Sequence, residues 1–298
     1  MKFIEITNRN TDEIIKLSYC DDGVGKPVVL IHGWPLSKEM WEYQLEPLVN
    51  AGLRVITYDR RGFGKSDKPW NAYDYDTLAG DLNELLIQLD LQDVTLVGFS
   101  MGGGEVARYF SKYGDDRVSK VVLISSVLPY MLKTDENEEG VPGEKFAEMV
   151  EQITNDRIGF LDEFGKQFFG IGIMNHPVSE PLLEYYRMLC SIGSSKATRE
   201  CLKSFAYTDF RKDTLEINVP TLIIHGNSDK TVPIEVSGDK SSRIIPNNQY
   251  VVYDGAPHGL FYTHKEKLNL DLIEFITTGL LDNNREDKKV TFERANSL

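Results

Sequence analysis

Short apolar runs alternate along the chain with segments of helical periodicity. The runs are rich in valine and isoleucine, and most are followed closely by glycine or aspartate. Continuous apolar runs of this length are typical of strands buried on both faces of a parallel sheet. The strands predicted in this way cover residues 28–31, 54–58, 94–97, 121–124, 221–224 and 250–253.

Helical patterns lie between these strands. The leucines between residues 78 and 89 recur at spacings that place them on one helix face, and the apolar positions between residues 268 and 276 repeat the pattern. Strands that alternate with helices indicate βαβ units and a doubly wound sheet. The fold class predicted from this pattern is α/β, with a mostly parallel central sheet flanked by helices.

Three segments depart from the alternation. Apolar positions in residues 4–6 and 14–19, separated by the polar turn 8–12, predict an antiparallel hairpin at the sheet edge. Residues 128–211 show helical periodicity and many aromatic side chains but no strand pattern, and an insertion this long between sheet strands is usually functional. We therefore expect a discontinuous core, residues 1–127 and 212–298, with a helical cap or lid, residues 128–211. The charged, aperiodic tail 282–298 is expected to fray or to dock elsewhere.

Composition narrows the function classes. The chain has 298 residues, with 46 acidic and 33 basic side chains and a net charge of −13. This acidity argues against nucleic acid or an anionic membrane as a partner, and favours a neutral substrate. The three cysteines are far apart in the sequence, which excludes a disulfide framework. The sequence contains no Cys-x-x-Cys pair that would indicate a zinc site. Because no signal peptide or 18-residue apolar stretch is visible, we expect a cytoplasmic protein.

The pentapeptide Gly98-Phe99-Ser100-Met101-Gly102 matches the G-x-S-x-G pattern. It follows the predicted strand 94–97 and precedes a helical segment, 103–113, which is the context of a nucleophile elbow. The pattern alone also fits a glycine-rich turn, but the strand before it and the helix after it favour the elbow. We therefore expect Ser100 to be a nucleophile.

A serine hydroxyl needs a base to accept its proton. With an elbow of this kind the base follows the acid in the chain, and His258 lies in a turn-rich loop just after the last predicted strand. His32 and His225 precede glycine at strand ends and are expected to be structural. His176 is expected in a loop of the insertion and His264 on the solvated surface. We therefore expect His258 to be the base.

An acid must hold the imidazole in the correct tautomer. Asp229 comes just after the predicted strand 221–224, whereas Asp254 shares a loop with His258 and would have to reach back to it. No acid follows the strand 121–124 until Asp135. Asp229 is therefore the expected acid.

The oxyanion of a tetrahedral intermediate needs backbone donors. The N–H of Met101, directly after the nucleophile, is one expected donor, and the N–H of Trp34, in the loop after the strand 28–31, is the other. The alternative is that these two residues only pack in the core. The Trp34 indole is also expected to form a wall of the pocket.

The motifs together resemble a known family. The segments are His32-Gly33-Trp34, Asp59-Arg60-Arg61-Gly62-Phe63-Gly64-Lys65-Ser66-Asp67, the elbow extended to Gly104, Thr208-Asp209-Phe210-Arg211 and Ala256-Pro257-His258-Gly259. From about residue 26 to about residue 275 the chain resembles the cofactor-free haloperoxidase (perhydrolase) and aryl esterase branch of the α/β-hydrolases. The resemblance implies a serine esterase that uses no cofactor or metal, with Ser100, Asp229 and His258 as its triad and with Trp34 and Met101 as oxyanion donors. It also implies perhydrolysis, in which peroxide attacks the acyl-enzyme and the peracid released oxidises halide.

Two other motifs are incomplete. Gly64-Lys65-Ser66 ends like a phosphate-binding loop, but Asp59 stands where its first glycine is required. Asp67 likewise replaces the third glycine of a dinucleotide fingerprint. The related haloalkane dehalogenases and epoxide hydrolases need an aspartate nucleophile, and this chain has Ser100 at that position, so neither chemistry is expected.

The sequence therefore predicts a hydrolase that cleaves small neutral aryl or alkyl esters through an acyl-enzyme. A lactonase, an amidase or a carbon–carbon bond hydrolase with the same triad stays open, as does a ligand receptor on the same fold. Sequence does not separate these alternatives because specificity depends on the cap. Assembly into a homo-oligomer also stays open.

Overall fold

The computed structural model describes residues 2–7 and 13–282. Within them, eight strands form one sheet in the order β1-β2-β4-β3-β5-β6-β7-β8. The strands are β1 Lys2–Thr7, β2 Ile14–Asp22, β3 Lys26–Ile31, β4 Leu53–Tyr58, β5 Val94–Phe99, β6 Val118–Ile124, β7 Thr221–Gly226 and β8 Asn248–Tyr253. The sheet is parallel from β4 to β8, as the apolar runs predict.

The hairpin predicted at the start of the chain is confirmed. β1 pairs with β2, and β2 pairs with β4, in antiparallel register, so the hairpin forms one edge of the sheet. The polar turn predicted for residues 8–12 lies outside the described residues, as does the tail 283–298.

Helices cover both faces of the sheet. The described residues contain α1 Glu42–Asn50, α2 Tyr75–Gln88, α3 Met101–Tyr113, α4 Gly143–Phe168, α5 Glu180–Ile192, α6 Ser195–Tyr207, α7 Arg211–Leu215, α8 Gly238–Ile244, α9 Leu260–Thr263 and α10 Lys265–Thr278. Alternate residues of β3 enter different apolar clusters, Val29 with α2 and α3, Val28 with α1 and α10. This alternation follows from the two-residue period of a strand and explains why the central strands are largely apolar on both faces.

The segment predicted as a cap is helical. It contains α4, α5 and α6, and within the described residues its β pairing is limited to two isolated bridges. Helix α4 is kinked at Asp156, where φ is −148°, and the Asp156 carboxylate accepts the Gly159 N–H at 2.9 Å, which caps the second half of the helix. The division into core and cap at residues 127 and 211 stays a prediction.

Candidate active site

Ser100 lies in the sharp turn between β5 and α3. Its φ of 54° and ψ of −119° fall outside the regions that non-glycine residues usually occupy. A Cβ at Gly102 would lie 2.7 Å from the Ile31 carbonyl oxygen, so glycine is needed for the start of α3 to approach the end of β3 this closely. The strand–turn–helix geometry is that of a nucleophile elbow.

The side chains of Ser100, His258 and Asp229 form a hydrogen-bonded series. His258 Nε2 is 3.0 Å from Ser100 Oγ, and His258 Nδ1 is 2.6 Å from Asp229 Oδ2. Asp229 follows β7 and His258 follows β8, while Ser100 follows β5, so all three lie beyond the carboxyl ends of parallel strands. The structure thus brings together the three residues that the sequence predicts as a triad.

The protonation pattern follows from the partners. An ionised carboxylate only accepts, so His258 Nδ1–H donates to Asp229, and Nε2 is left to accept the Ser100 proton. Burial would raise the pKa of Asp229, but the charges and hydrogen bonds of His258 and His225 outweigh it and hold this pKa below its usual value. Asp229 Oδ1 also accepts the N–H groups of Thr231 and Val232, at 2.9 and 2.8 Å. Asp229 therefore stays ionised beside His258.

The loop after β3 lies beside the elbow. A Cβ at Gly33 would lie 3.1 Å from the Ser100 Cβ, so the backbone that leads into Trp34 passes directly next to the nucleophile. Met101 is the first residue of α3, where backbone N–H groups lack partners within the helix. The two predicted oxyanion donors thus both belong to backbone adjoining Ser100.

The indole of Trp34 joins this loop to the predicted cap. Its Nε1–H donates to the Thr198 carbonyl at 2.9 Å, and its ring packs against Phe164 and Phe205, with centroids 5.3 and 5.5 Å away. Trp34 is buried and lines the cavity, as predicted for a pocket wall.

A cavity of about 1490 Å³ opens above Ser100. Apolar side chains from the core and from α4 and α6 supply much of its lining, which also includes charged residues of both signs, such as Lys145 and Glu148. A pocket of this character suits a neutral, largely apolar substrate. The apolar lining residues include Trp34, Val127, Phe160, Phe164, Phe205 and Val232.

A buried ion pair connects α3 with the backbone that follows β4. Arg60, after β4, pairs with Glu105 on α3, and the Tyr58 hydroxyl donates to the same carboxylate at 2.7 Å. Arg60 Nη2 donates to the His32 carbonyl at 2.7 Å, and its backbone N–H donates to His32 Nε2 at 2.9 Å. Sequence reasoning did not assign Arg60 or Glu105 a role in the site, since nothing local marks two residues 45 apart as partners.

The remaining histidines differ in their surroundings. Burial and the Arg60 charge lower the pKa of His32 well below its usual value, and its ring contacts backbone, as expected of a structural residue. His225 Nε2 lies 2.9 Å from the Val232 carbonyl, which is also a backbone contact, but it is also 3.5 Å from Asp229 Oδ2, a proximity that the sequence did not predict. His264, expected on the surface, is half-buried, and its ring centroid lies 5.9 Å from that of Tyr253.

Asp254 and His176, which are not expected to belong to the triad, lie on the surface. Asp254 is exposed and accepts a hydrogen bond from Asn227 at 2.9 Å, whereas Asp229 contacts the imidazole. His176 is exposed in the loop between α4 and α5. Over the described part of the chain, no three side chains of the His, Cys, Asp and Glu types lie close enough together to hold a metal ion.

Comparison with known proteins identifies the family. The sequence model of the family described as alpha/beta hydrolase fold matches residues 26–265. The chain belongs to the α/β-hydrolase family. The predicted fold and the prediction of an enzyme of this family are therefore confirmed. No helix among the described residues combines the length and apolar character needed to cross a bilayer.

Similar proteins indicate which branch of the α/β-hydrolase family the chain resembles. The chain is 42% identical to a non-heme chloroperoxidase of Kitasatospora aureofaciens, over 89% of this chain and 98% of that one. It is 39% identical to a bifunctional esterase/perhydrolase of Acinetobacter calcoaceticus, over 84% and 91% of the two chains. The crystal structure of a bromoperoxidase from Bacillus anthracis shares 50% identity, with a TM-score of 0.88 over 93% of this chain and 100% of that one. The predicted resemblance to the haloperoxidase (perhydrolase) and esterase branch is confirmed.

Proposed function

We propose that this α/β-hydrolase cleaves small aryl and alkyl carboxylic esters through an acyl-enzyme and also performs perhydrolysis. The observation that carries the proposal is the series Asp229–His258–Ser100, with bonds of 2.6 and 3.0 Å, whose serine faces a largely apolar cavity. The nearby relatives that are named as esterase/perhydrolase and haloperoxidases support the same activity.

Acylation begins at Ser100. His258 Nε2 accepts the hydroxyl proton while Oγ attacks the ester carbonyl carbon, and Asp229 stabilises the imidazolium that forms. The imidazolium then gives the proton to the alcohol oxygen as the carbon–oxygen bond breaks. The alcohol leaves, and the acyl group stays on Ser100.

The negative charge on the carbonyl oxygen needs donors during both steps. We assign the N–H groups of Trp34 and Met101 to this role, because both belong to backbone adjoining Ser100. Preorganised donors of this kind contribute roughly 2.7–4 kcal/mol each to transition-state stabilisation.

The second half of the reaction depends on the attacking nucleophile. With water, His258 removes a proton, the hydroxide oxygen bonds to the acyl carbon, and Ser100 leaves with the proton that His258 returns. With hydrogen peroxide the same transfers release a peracid in place of the carboxylic acid. The substrate is inferred to be neutral because much of the cavity lining is apolar and its charged residues carry both signs of charge. Location in the cytoplasm and the absence of a cofactor stay predictions from the sequence.

The Ser100→Ala variant tests this proposal. We expect it to fold like the wild type, because the Cβ is kept, and to lose p-nitrophenyl acetate hydrolysis together with peroxide-dependent peracid formation, by at least about 10³-fold in kcat. The measurements are initial rates with and without hydrogen peroxide, and circular dichroism as the control for folding. Full activity of the variant would rule out Ser100 as the nucleophile.

A substrate panel tests the ester assignment against the related activities. Short and long acyl esters, lactones and amides are compared by kcat/KM with the wild type and with Ser100→Ala. A preference for lactones or amides over short esters would replace the esterase assignment while leaving the triad in place.

A further inference from the structure

The last turn of α4 lies against the loop that carries His258. Helix α4 ends at Phe168, so the Phe168 carbonyl lacks a partner within the helix. It accepts a 2.8 Å hydrogen bond from the N–H of Gly259, the residue directly after His258. The backbone of the predicted cap is thus joined to this loop one residue away from the imidazole.

The Phe168 ring also contacts the imidazole itself. The two ring centroids are 4.8 Å apart and the planes are nearly perpendicular, at 87°. The ring of Phe99, the residue before Ser100, lies 5.0 Å from the same imidazole. Contacts between rings at these distances favour particular orientations. The imidazole therefore packs against one ring from the core and one from α4.

The next two residues fill the space beside the same loop. A Cβ at Gly259 would lie 2.4 Å from Cδ1 of Phe169, and a Cβ at Gly170 would lie 3.0 Å from the Cβ of Pro257. Separations this small mean that the loop 257–259 has no room to move toward the helix end. The position of the loop is limited on that side by α4.

Gln167 extends the contact to the loop that carries Asp229. Its Nε2 donates to the carbonyl of Lys230, the residue after Asp229, at 3.2 Å. Four consecutive residues, 167–170, therefore contact both loops whose relative position sets the 2.6 Å bond between Asp229 and His258.

We propose that Phe168 is a positioning residue for His258. Its ring and its carbonyl hold the imidazole where Nε2 reaches Ser100, so the cap sets the geometry of the triad in addition to lining the cavity. The inference rests on the proposed role of His258 as the base. Phe168 itself does not line the cavity, so its loss changes the chemical step and leaves substrate binding almost unaltered.

The Phe168→Leu variant tests the proposal, with Leu161→Ala as the matched control. Leu161 is buried on the same half of α4 and in the same apolar cluster, but it does not line the cavity. We expect Phe168→Leu to lower kcat for p-nitrophenyl acetate by about 10- to 100-fold with KM changed by less than about twofold. Leu161→Ala is expected to lower Tm but to keep kcat within about twofold. Equal effects of the two variants on kcat, or an unchanged kcat in Phe168→Leu, would overturn the proposal.

A second measurement does not depend on ester turnover. The Nδ1 proton between His258 and Asp229 is expected to give a far-downfield ¹H NMR resonance, because it lies in a short charge-assisted hydrogen bond. We expect this resonance to be kept in Leu161→Ala and shifted or broadened in Phe168→Leu. An unaltered resonance in Phe168→Leu contradicts the positioning role even if the protein is no esterase. If the protein proves to have no esterase activity but the resonance changes as predicted in Phe168→Leu, the proposed function is wrong and the positioning role of Phe168 is still supported.

Gly259→Ala provides a second variant in which α4 keeps its own sequence. The φ of Gly259 is −73°, outside the left-handed region that favours glycine, so the added Cβ acts through its collision with Cδ1 of Phe169, 2.4 Å away, and its close approach to Cδ1 of Phe168, 3.2 Å away. We expect the same change in the resonance and the same fall in kcat as in Phe168→Leu. Wild-type values for both measurements would show that contact with α4 does not position this loop.

Discussion

Ser100 is held in an uncommon backbone conformation by its neighbours. Its N–H donates to the Ile124 carbonyl at 2.9 Å, and its own carbonyl accepts the N–H groups of Gly103 and Val127, at 3.0 and 3.2 Å. Such a conformation costs on the order of 1–3 kcal/mol and persists where the surroundings determine it. The strain places the hydroxyl within reach of His258, so the backbone of this residue serves the proposed chemistry directly.

Asp229→Asn tests the acid at the same scale. The amide lacks the charge that stabilises the imidazolium and presents a donor that favours the wrong tautomer of His258, so we expect kcat to fall by about 10⁴-fold. The measurement is kcat for p-nitrophenyl acetate at pH 7. A loss of less than about tenfold would show that another acid orients His258.

The effect of Asp229→Asn on the free energy of unfolding is expected to depend on pH. Because the pKa of Asp229 is held below its unfolded value, its ionised form stabilises the native state above about pH 4, and this contribution is lost as the pH falls further. The difference in unfolding free energy between wild type and variant is therefore expected to be full at pH 7 and smaller at pH 3, as measured in urea. A difference that grows toward acid pH would contradict the lowered pKa.

Among the elements, α3 has two roles. Its first turn adjoins Ser100, and its second turn carries Glu105, which pairs with the buried Arg60. Since Arg60 also donates to the His32 carbonyl, the helix that bears the nucleophile is connected through one ion pair to the loop that leads to Trp34. The elbow and the oxyanion loop are thereby fixed relative to one another.

Glu105→Gln tests this connection. It leaves the Arg60 charge buried without its counter-charge, so we expect the unfolding free energy to fall by about 3–5 kcal/mol. Urea denaturation measures the change, and Glu200→Gln, which removes a half-exposed partner of Lys196 on α6, is the control, with an expected effect below about 1 kcal/mol. Equal losses in the two variants would mean that Arg60 keeps sufficient partners without Glu105.

The sequence predicts features that depend on local pattern. The central strands, α2 and the elbow follow from apolar runs, leucine spacing and glycine positions. β6 begins at Val118, three residues before the predicted start at residue 121. The prediction missed these residues because the half-buried Ser119 and Lys120 interrupt the apolar run. The contacts of Arg60 with Glu105 and of Phe168 with His258 have no such signal, since they join residues distant in sequence. They depend on how the helices pack, which no local pattern contains.

At the scale of the whole molecule, each of the two apolar clusters among the described residues contains side chains from both the core and the predicted cap. One cluster contains Phe146 and Leu202 from the cap together with Leu82 and Val121 from the core. Hydrogen bonds cross the same boundary, including those from Ser194 N–H to the Gly62 carbonyl and from the Ser204 hydroxyl to the Tyr73 carbonyl, both at 2.8 Å. This continuity indicates that the two parts are stable together.

Thermal unfolding tests this continuity. Because the cap lacks a separate interior, we expect one cooperative transition in differential scanning calorimetry, with the van't Hoff and calorimetric enthalpies equal. Two resolved transitions, or a van't Hoff enthalpy well below the calorimetric one, would show that residues 128–211 unfold as an independent domain.

The order of the strands has a consequence for engineering. The cap leaves the sheet after β6, and the chain returns through α7 to β7, its immediate neighbour, so cap length can change without altering any strand pairing. A transplanted cap can therefore be spliced between these two strands to change the substrate range. By our inference, however, a donor segment supports full turnover only if its helix end supplies an aromatic ring and a free carbonyl at the place of Phe168. Compatibility of a graft is then decided by that helix end rather than by the walls of the pocket.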